Sequence, residues 1–307
     1  AGDKVFSAGD IYFNMYAHSD CIGEHRTLTD DGVGANFSAA ETFHSRSVLP
    51  DITIKVSEMN NVATKFVVNA ANPTIKLLNS SGTEMTPEAD GTYMLPLDDY
   101  TYDVSAEGYI CEHGSFKAAS ADVANGKTIT VNLRKADETT WDGKTITEIT
   151  PNADGVYEVR TGAELAWIAA EVNKGTAISK VKLMNDISLG GYNWTPIGTT
   201  AKRFGGEFDG NGHIINDLYI KSSAINAALF AGTKNGAVIK DLGVKGVVIG
   251  RMMVGGIVAS AQAGTSVLRC FSAVDVTGSA NVAGIVAVPV SNGVIITDCY
   301  NTGNITI

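Results

Sequence analysis

A chain of 307 residues has room for two or three domains, each burying its own core. Its 23 Lys and Arg against 33 Asp and Glu leave a formal charge of -10, which repels a phosphate backbone or an anionic membrane surface, and no local basic patch offsets it. Apolar runs such as Ala283 to Val290 fall far short of the roughly 18 to 20 residues that span a bilayer, so neither nucleic acid binding nor membrane insertion by this chain is expected.

With 18% charged residues, 33 Gly, frequent Val and Ile and few aromatics, the composition fits stacked strands and tight turns, and the expected class is all-β. Four cysteines are too few to build a disulfide scaffold. The opening Ala1-Gly2-Asp3-Lys4 has no apolar signal core, and the last residues, Ile305-Thr306-Ile307, are strand-like. An excised piece of a longer protein is therefore expected.

Residues 1–57 hold strand-like runs, Ile11 to Tyr16 and Ile52 to Val56, around a polar stretch from Thr27 to Asn36. This reads as a partial β module, the tail of a preceding domain. Across 58–135 the alternation is clear. Tyr100, Tyr102 and Val104 interleave with Thr101, Asp103 and Ser105, and Ile129, Val131 and Leu133 with polar neighbours, which puts one face of each strand in a core. Turn signals at Asn79-Ser80-Ser81-Gly82, Asp90-Gly91 and Asn125-Gly126 separate the strands at intervals that predict a small antiparallel β-sandwich, Ig-like or prealbumin-like. The run Gly91-Thr92-Tyr93-Met94-Leu95-Pro96, with Tyr100 to Ser105 and Gly108-Tyr109, resembles the PEGA and carboxypeptidase-regulatory-like modules of bacterial surface proteins.

Residues 136–154 lose periodicity around Trp141 and read as a linker or strand-poor connection. Thr161 and Glu164 then have capping-box spacing ahead of Leu165, Ile168, Ala169 and Val172, with Gly175 placed to stop the helix. One amphipathic helix is predicted there, a cap on the first coil of a C-terminal repeat module.

That repeat occupies the rest of 155–307. Moving 28 residues on, from Gly250 to Gly278, also carries Val254, Gly256, Ile257, Val258 and Ala259 onto Val282, Gly284, Ile285, Val286 and Ala287, and Leu242 onto Cys270. The next step carries Cys270, Phe271 and Val276 to Cys299, Tyr300 and Ile305, and upstream Ala228-Leu229-Phe230-Ala231 matches Gly256 to Ala259. Such a period with three short strands per unit predicts a parallel β-helix, its coils about 4.8 Å apart. The predicted fold is thus β-sandwich module(s) followed by a parallel β-helix with one N-terminal capping α-helix.

Phe204-Gly205-Gly206-Glu207-Phe208-Asp209-Gly210-Asn211-Gly212-His213, followed by Asn216-Asp217-Leu218, resembles the lead-in to GLUG repeats. Asn185 to Gly190 and Trp194 to Gly198 match it too, while Val254 to Val258 and Cys299 to Ile305 resemble the repeat itself. The resemblance implies a secreted or surface-attached bacterial protein in which the arrays serve as stalks and adhesive modules. In one departure, Ala228 and Ala231 stand where the family has glycines.

The residues with chemical promise are few. Asp209, His213 and Asp217 share a Gly-rich stretch, and β-helices host polysaccharide lyases and glycosidases. A hydrolase needs a second carboxylate in the same groove. The stacked positions downstream are Lys240, Asp241, Leu268 and Arg269, so no acidic ladder continues, and a turn at Asp209 with His213 on the strand surface is the reading the pattern favours. Some GLUG arrays occur in zinc peptidases that cleave immunoglobulin A, but neither Glu24-His25 nor Glu112-His113 fits His-Glu-x-x-His. The five histidines His18, His25, His44, His113 and His213 show no ligand spacing within a segment, although His18 and Cys21 lie three apart, where a solvated loop is the favoured reading; Asp30-Asp31-Gly32 and Asp98-Asp99 read as turn acids, and no cofactor or metal is expected. Cys270 and Cys299 should point inward on adjacent coils, either as free thiols or as a disulfide. Tyr100, Tyr102 and Tyr109 suit a sandwich core better than a glycan platform.

The expected function is a non-catalytic structural and adhesive segment, extracellular or on the cell surface, whose β-helix face binds a host or matrix protein or glycan. A carbohydrate-active β-helix and a module binding a host protein such as an immunoglobulin are the alternatives. Edge-to-edge self-association through the C-terminal coil is expected as well.

Overall fold

The computed structural model describes residues 61–307 and the backbone of two antiparallel strands, Ile11–Phe13 and Arg26–Leu28, in which Ile11 pairs with Leu28. The expected strand at Ile52 to Val56 and the residues His18, Cys21, His25, His44 and Asp30-Asp31-Gly32 lie outside the described residues. The described chain is nearly all β, with one α-helix. It divides into two compact units. One is built around Leu77–Thr101 and Ser115–Thr130, and the other comprises Val68–Lys76, Tyr102–Gly114 and Val131–Ile307.

The antiparallel part has seven strands in two sheets. Tyr93–Leu95, Val62–Val68 and Lys127–Val131 form one, and Glu84–Met85, Thr74–Asn79, Asp98–Ser105 and Glu112–Ala118 the other. The period of two sorts their side chains: Tyr93 and Leu95 are buried with Met94 between them exposed, and Tyr100 and Val104 are buried on one face of their strand. Phe66 of the first sheet meets Phe116 of the second edge-on at 6.2 Å, and Tyr100 stacks on Phe116 at 5.5 Å. The Tyr100 hydroxyl donates to Pro96 O at 2.9 Å, which satisfies the one polar atom of a ring otherwise inside the core.

The helix spans Gly162–Lys174. Glu164 N–H donates to Thr161 Oγ1 at 3.3 Å and Thr161 N–H to Glu164 Oε2 at 3.0 Å, so two of the orphan amide donors of the first turn are satisfied reciprocally. Gly175 ends it at φ 106°, where an L side chain would be strained. The buried stripe of Leu165, Ile168, Ala169 and Val172 packs into the core beside Val159 of the solenoid's first edge strand. Residues 136–154 have no regular strand, yet Trp141 is buried in this core. It meets Trp194 edge-on at 5.2 Å, and its indole N–H donates to Thr145 O.

The rest is a parallel β-solenoid of about five turns. Its first face stacks Tyr157–Val159, Lys180–Leu183, Glu207–Asp209, Val238–Lys240, Ser266–Leu268 and Ile295–Thr297. Its second face stacks Ile187–Ser188, Ile214–Lys221, Gly243–Ile249, Phe271–Thr277 and Tyr300–Asn301, with Ile305–Thr306 on the far end of Phe271–Thr277. Asn226–Ala227, Met253–Gly255 and Val282–Ala283, then Val258–Ala261 and Val286–Pro289, make the third. The register agrees with the repeat, since Val254 pairs with Val282, Val258 with Val286, Phe271 with Tyr300 and Val276 with Ile305. The coil at Ala228 keeps it too: Phe230 bridges Val258.

Each position on a strand becomes a ladder. Inward runs Val181, Phe208, Ile239, Val267 and Ile296, the first four fully buried. Outward on the same strands run Glu158, Lys182, Asp209, Lys240, Leu268 and Thr297, whose charges alternate in sign through the first four. Burying one of the inward side chains is worth about 1.5–3 kcal/mol. In urea unfolding, Ile239→Ala is expected to cost about 2–5 kcal/mol. Thr161→Ala should cost about 1 kcal/mol through the lost cap, and the outward Leu268→Ala less than either.

Candidate functional site

The first face joins the second at a sharp corner. After Lys240, Leu268 and Thr297, one residue adopts the left-handed region, Asp241 (φ 51°), Arg269 (φ 50°) and Asp298 (φ 55°). An inward residue comes next, Leu242, Cys270 and Cys299, and the second face begins at Gly243, Phe271 and Tyr300. Asp tolerates this conformation because its short side chain bonds locally, and Arg269 is the costlier occupant. Its guanidinium finds compensation in the coil below, where Nε donates to Asp241 Oδ1 at 2.6 Å and Nη2 to Oδ2 at 2.8 Å. That bidentate bond holds the Asp241 carboxyl below the usual carboxylate range against the opposing effect of burial.

One coil earlier the corner is wider. Asp209 pairs with Lys240 and Ile214 with Gly243, so the earlier coil has two more residues between the paired positions. Asn211 (φ 53°) and Gly212 (φ 80°) take up the surplus and stand out from the stack. The step leaves an open groove of about 400 Å³ lined by Asp209, Asn211, Gly212, Asp241, Leu242, Gly243, Arg269 and Phe271. Gly243 is essential to this shape, because a Cβ there would lie 2.5 Å from the Phe271 ring. On its other side that ring stacks on Tyr300 at 5.6 Å and 12°.

The three residues singled out at the sequence level do not converge. Asp209 lines the groove, where its Oδ1 accepts the Asn211 N–H at 2.7 Å and its Oδ2 lies 3.5 Å from Lys240 Nζ. His213 Nδ1 faces Asp186 Oδ1 at 3.2 Å, and the same oxygen accepts the Ile214 N–H. Asp217, itself at φ 56°, accepts the Ser188 hydroxyl at 2.6 Å and a bond from Arg134. Asp241 joins Asp209 in the groove instead, a juxtaposition that a search for acidic ladders passes over because the two residues are not in register. The signal for it was the longer spacing of that one repeat, filled by Asn211-Gly212. Arg269 holds the Asp241 carboxyl low, the opposite of the raised carboxyl that a general acid uses.

A second polar cluster lies in the same unit. His113 presents Nδ1 to Asp103 Oδ1 and Nε2 to Gly191 O, both at 2.7 Å, and its ring stacks on Tyr219 at 3.5 Å and 6°. Burial acts to raise the Asp103 carboxyl, but the hydrogen bond and charge of His113, with Lys221 and Lys76, hold it below its ordinary value. Burial, then the charge and hydrogen bond of Asp103, push the Tyr219 phenol well up. With both ring nitrogens engaged, this cluster ties Tyr102–Gly114 to the solenoid wall.

Cys111, Cys270 and Cys299 are free thiols. Cys270 is buried and pushed up to about 12, chiefly by desolvation, and Cys299 Sγ accepts its N–H at 3.4 Å. Among the described residues no three His, Cys, Asp or Glu side chains group to hold a metal ion, and no helix is long and apolar enough to cross a membrane.

No protein-family model matches the chain, and comparison with curated proteins and with solved structures finds no match either. The protein is thereby defined by its architecture, antiparallel sheets with a parallel β-solenoid.

The Asp103 carboxyl is lowered on folding, so it stabilises the fold above the ordinary aspartate range near about pH 4, and that contribution disappears as pH falls through the lowered value. Asp103→Asn should therefore be less stable than the parent at neutral pH, with the gap closing in acid; thermal melts from pH 7 to pH 2 that stay parallel would contradict this. Peptide mapping after iodoacetamide treatment of the native protein at pH 8 should find Cys299 labelled well before Cys270.

Proposed function

We propose that this chain is a non-catalytic structural and adhesive segment of a secreted or surface-attached bacterial protein, with a GLUG-type solenoid preceded by an Ig-like module. The observation that carries the reading is the division of labour in the ladders. Apolar side chains dominate the inside of the coils, and outer charges pair with one another, Lys240 with Glu207 at 2.8 Å and Arg269 with Asp241. Such a stack is a rigid strut with a long polar face. The motifs at Phe204 to His213 and Cys299 to Ile305 supply the family resemblance and, with it, the extracellular setting.

Asp209 within a groove supports a second reading, a carbohydrate-active β-helix. One pair of assays separates the two. The chain is expected to be retained on surfaces coated with matrix proteins or glycans, while releasing no new reducing or unsaturated ends from pectin, alginate or glycosaminoglycans. Turnover that vanishes in Asp209→Ala would establish the second reading in place of the first.

A further inference from the structure

The corner groove combines glycine backbone, an aromatic residue and fixed polar groups. Gly212 and Gly243 line it without side chains. It also takes in Phe271, whose ring stacks on Tyr300 and packs close over Gly243. Its polar groups are fixed in advance: Asp241 and Arg269 by their bidentate bond, Asp209 by Asn211 N–H and Lys240. The volume of about 400 Å³ lies in the range of small-ligand sites.

The charge balance narrows the ligand. Asp241 is met by Arg269 and Asp209 by Lys240, so an anion would confront two carboxylates whose partner cations are already engaged. A polyhydroxylated neutral molecule suits the lining better. Its hydroxyls can donate to carboxylate oxygens and accept from the guanidinium, and its C–H groups can pack against Phe271 where it lines the groove. We propose that this groove binds a neutral oligosaccharide, a proposal that rests on the adhesive role above and gives it a ligand class.

The test is a titration of the ¹⁵N-labelled 307-residue chain with cellohexaose, mannohexaose and maltohexaose, and with hexagalacturonate as the anionic probe. At least one neutral hexasaccharide is expected to shift amides confined to 209–212, 241–243 and 269–271, with hexagalacturonate weaker. Phe271→Leu should weaken binding about three- to tenfold, in keeping with the worth of an aromatic contact. Asp241→Asn, which keeps the side-chain shape, should weaken it as well; unchanged amide positions away from the groove certify the fold of each variant. No shifts, shifts elsewhere, tighter binding of hexagalacturonate, or full affinity in both variants would each overturn the proposal. Retention on a glycan-free matrix protein without sugar-induced shifts removes the groove and leaves the adhesive role. Sugar-induced shifts without retention on any surface remove the adhesive role and leave the groove.

Discussion

The parallel register of one coil upon the next governs the solenoid. Once Val181, Phe208, Ile239 and Val267 are stacked, the backbone hydrogen bonds of the first face run between coils, and their spacing brings each side chain against its counterpart above and below. A slip of one residue would turn this row outward and bring Lys182, Asp209 and Lys240 into the core, at a cost no turn could offset. The helix at Gly162–Lys174 belongs to the same constraint: its stripe of Leu165, Ile168 and Val172 supplies apolar cover next to the first edge strand, where the stack has no preceding coil of its own.

Much of this was legible in the sequence for a physical reason. Parallel stacking repeats the same environment at each coil, so the repeat from Gly250 to Ala259 and from Gly278 to Ala287 is a direct print of the register. The helix was legible because capping is a local matter of two side chains, Thr161 and Glu164. Trp141 was harder to place. Its burial depends on Trp194 and on partners distant in sequence, and a stretch without periodicity gives no sign that its one large ring is part of a core. The site was the least legible feature. Asp209 and Asp241 line one groove at a step where one coil has a longer corner than the next, and a method that aligns equals with equals does not see a mismatch.

The chemistry available on the solenoid wall follows from how its charges are committed. His213 is turned to Asp186, Asp217 to Ser188 and Arg134, and Asp241 to Arg269, so each of these side chains is engaged with a neighbour in the fold. His113 repeats the lesson in its own cluster, held at both ring nitrogens and against Tyr219. The corner groove adds shape to these pairings, a step in the wall lined by Gly212, Gly243 and Phe271.

The alternating outer ladder has a consequence for how such an array changes length over generations. Glu158, Lys182, Asp209 and Lys240 lie in sequence up the stack, each between charges of the opposite sign or at an end of the run. Excising the single coil that carries Asp209 would set Lys182 directly on Lys240, whereas excising two neighbouring coils would restore the alternation. Beyond Lys240 the ladder continues as the uncharged Leu268 and Thr297, but the corner row beside it, Asp241, Arg269 and Asp298, alternates in turn, so excising the coil with Arg269 would set Asp241 against Asp298. Recombination among the repeats is thus penalised by parity along the stack, and pairs of coils are the units in which descendants of this sequence should vary in number.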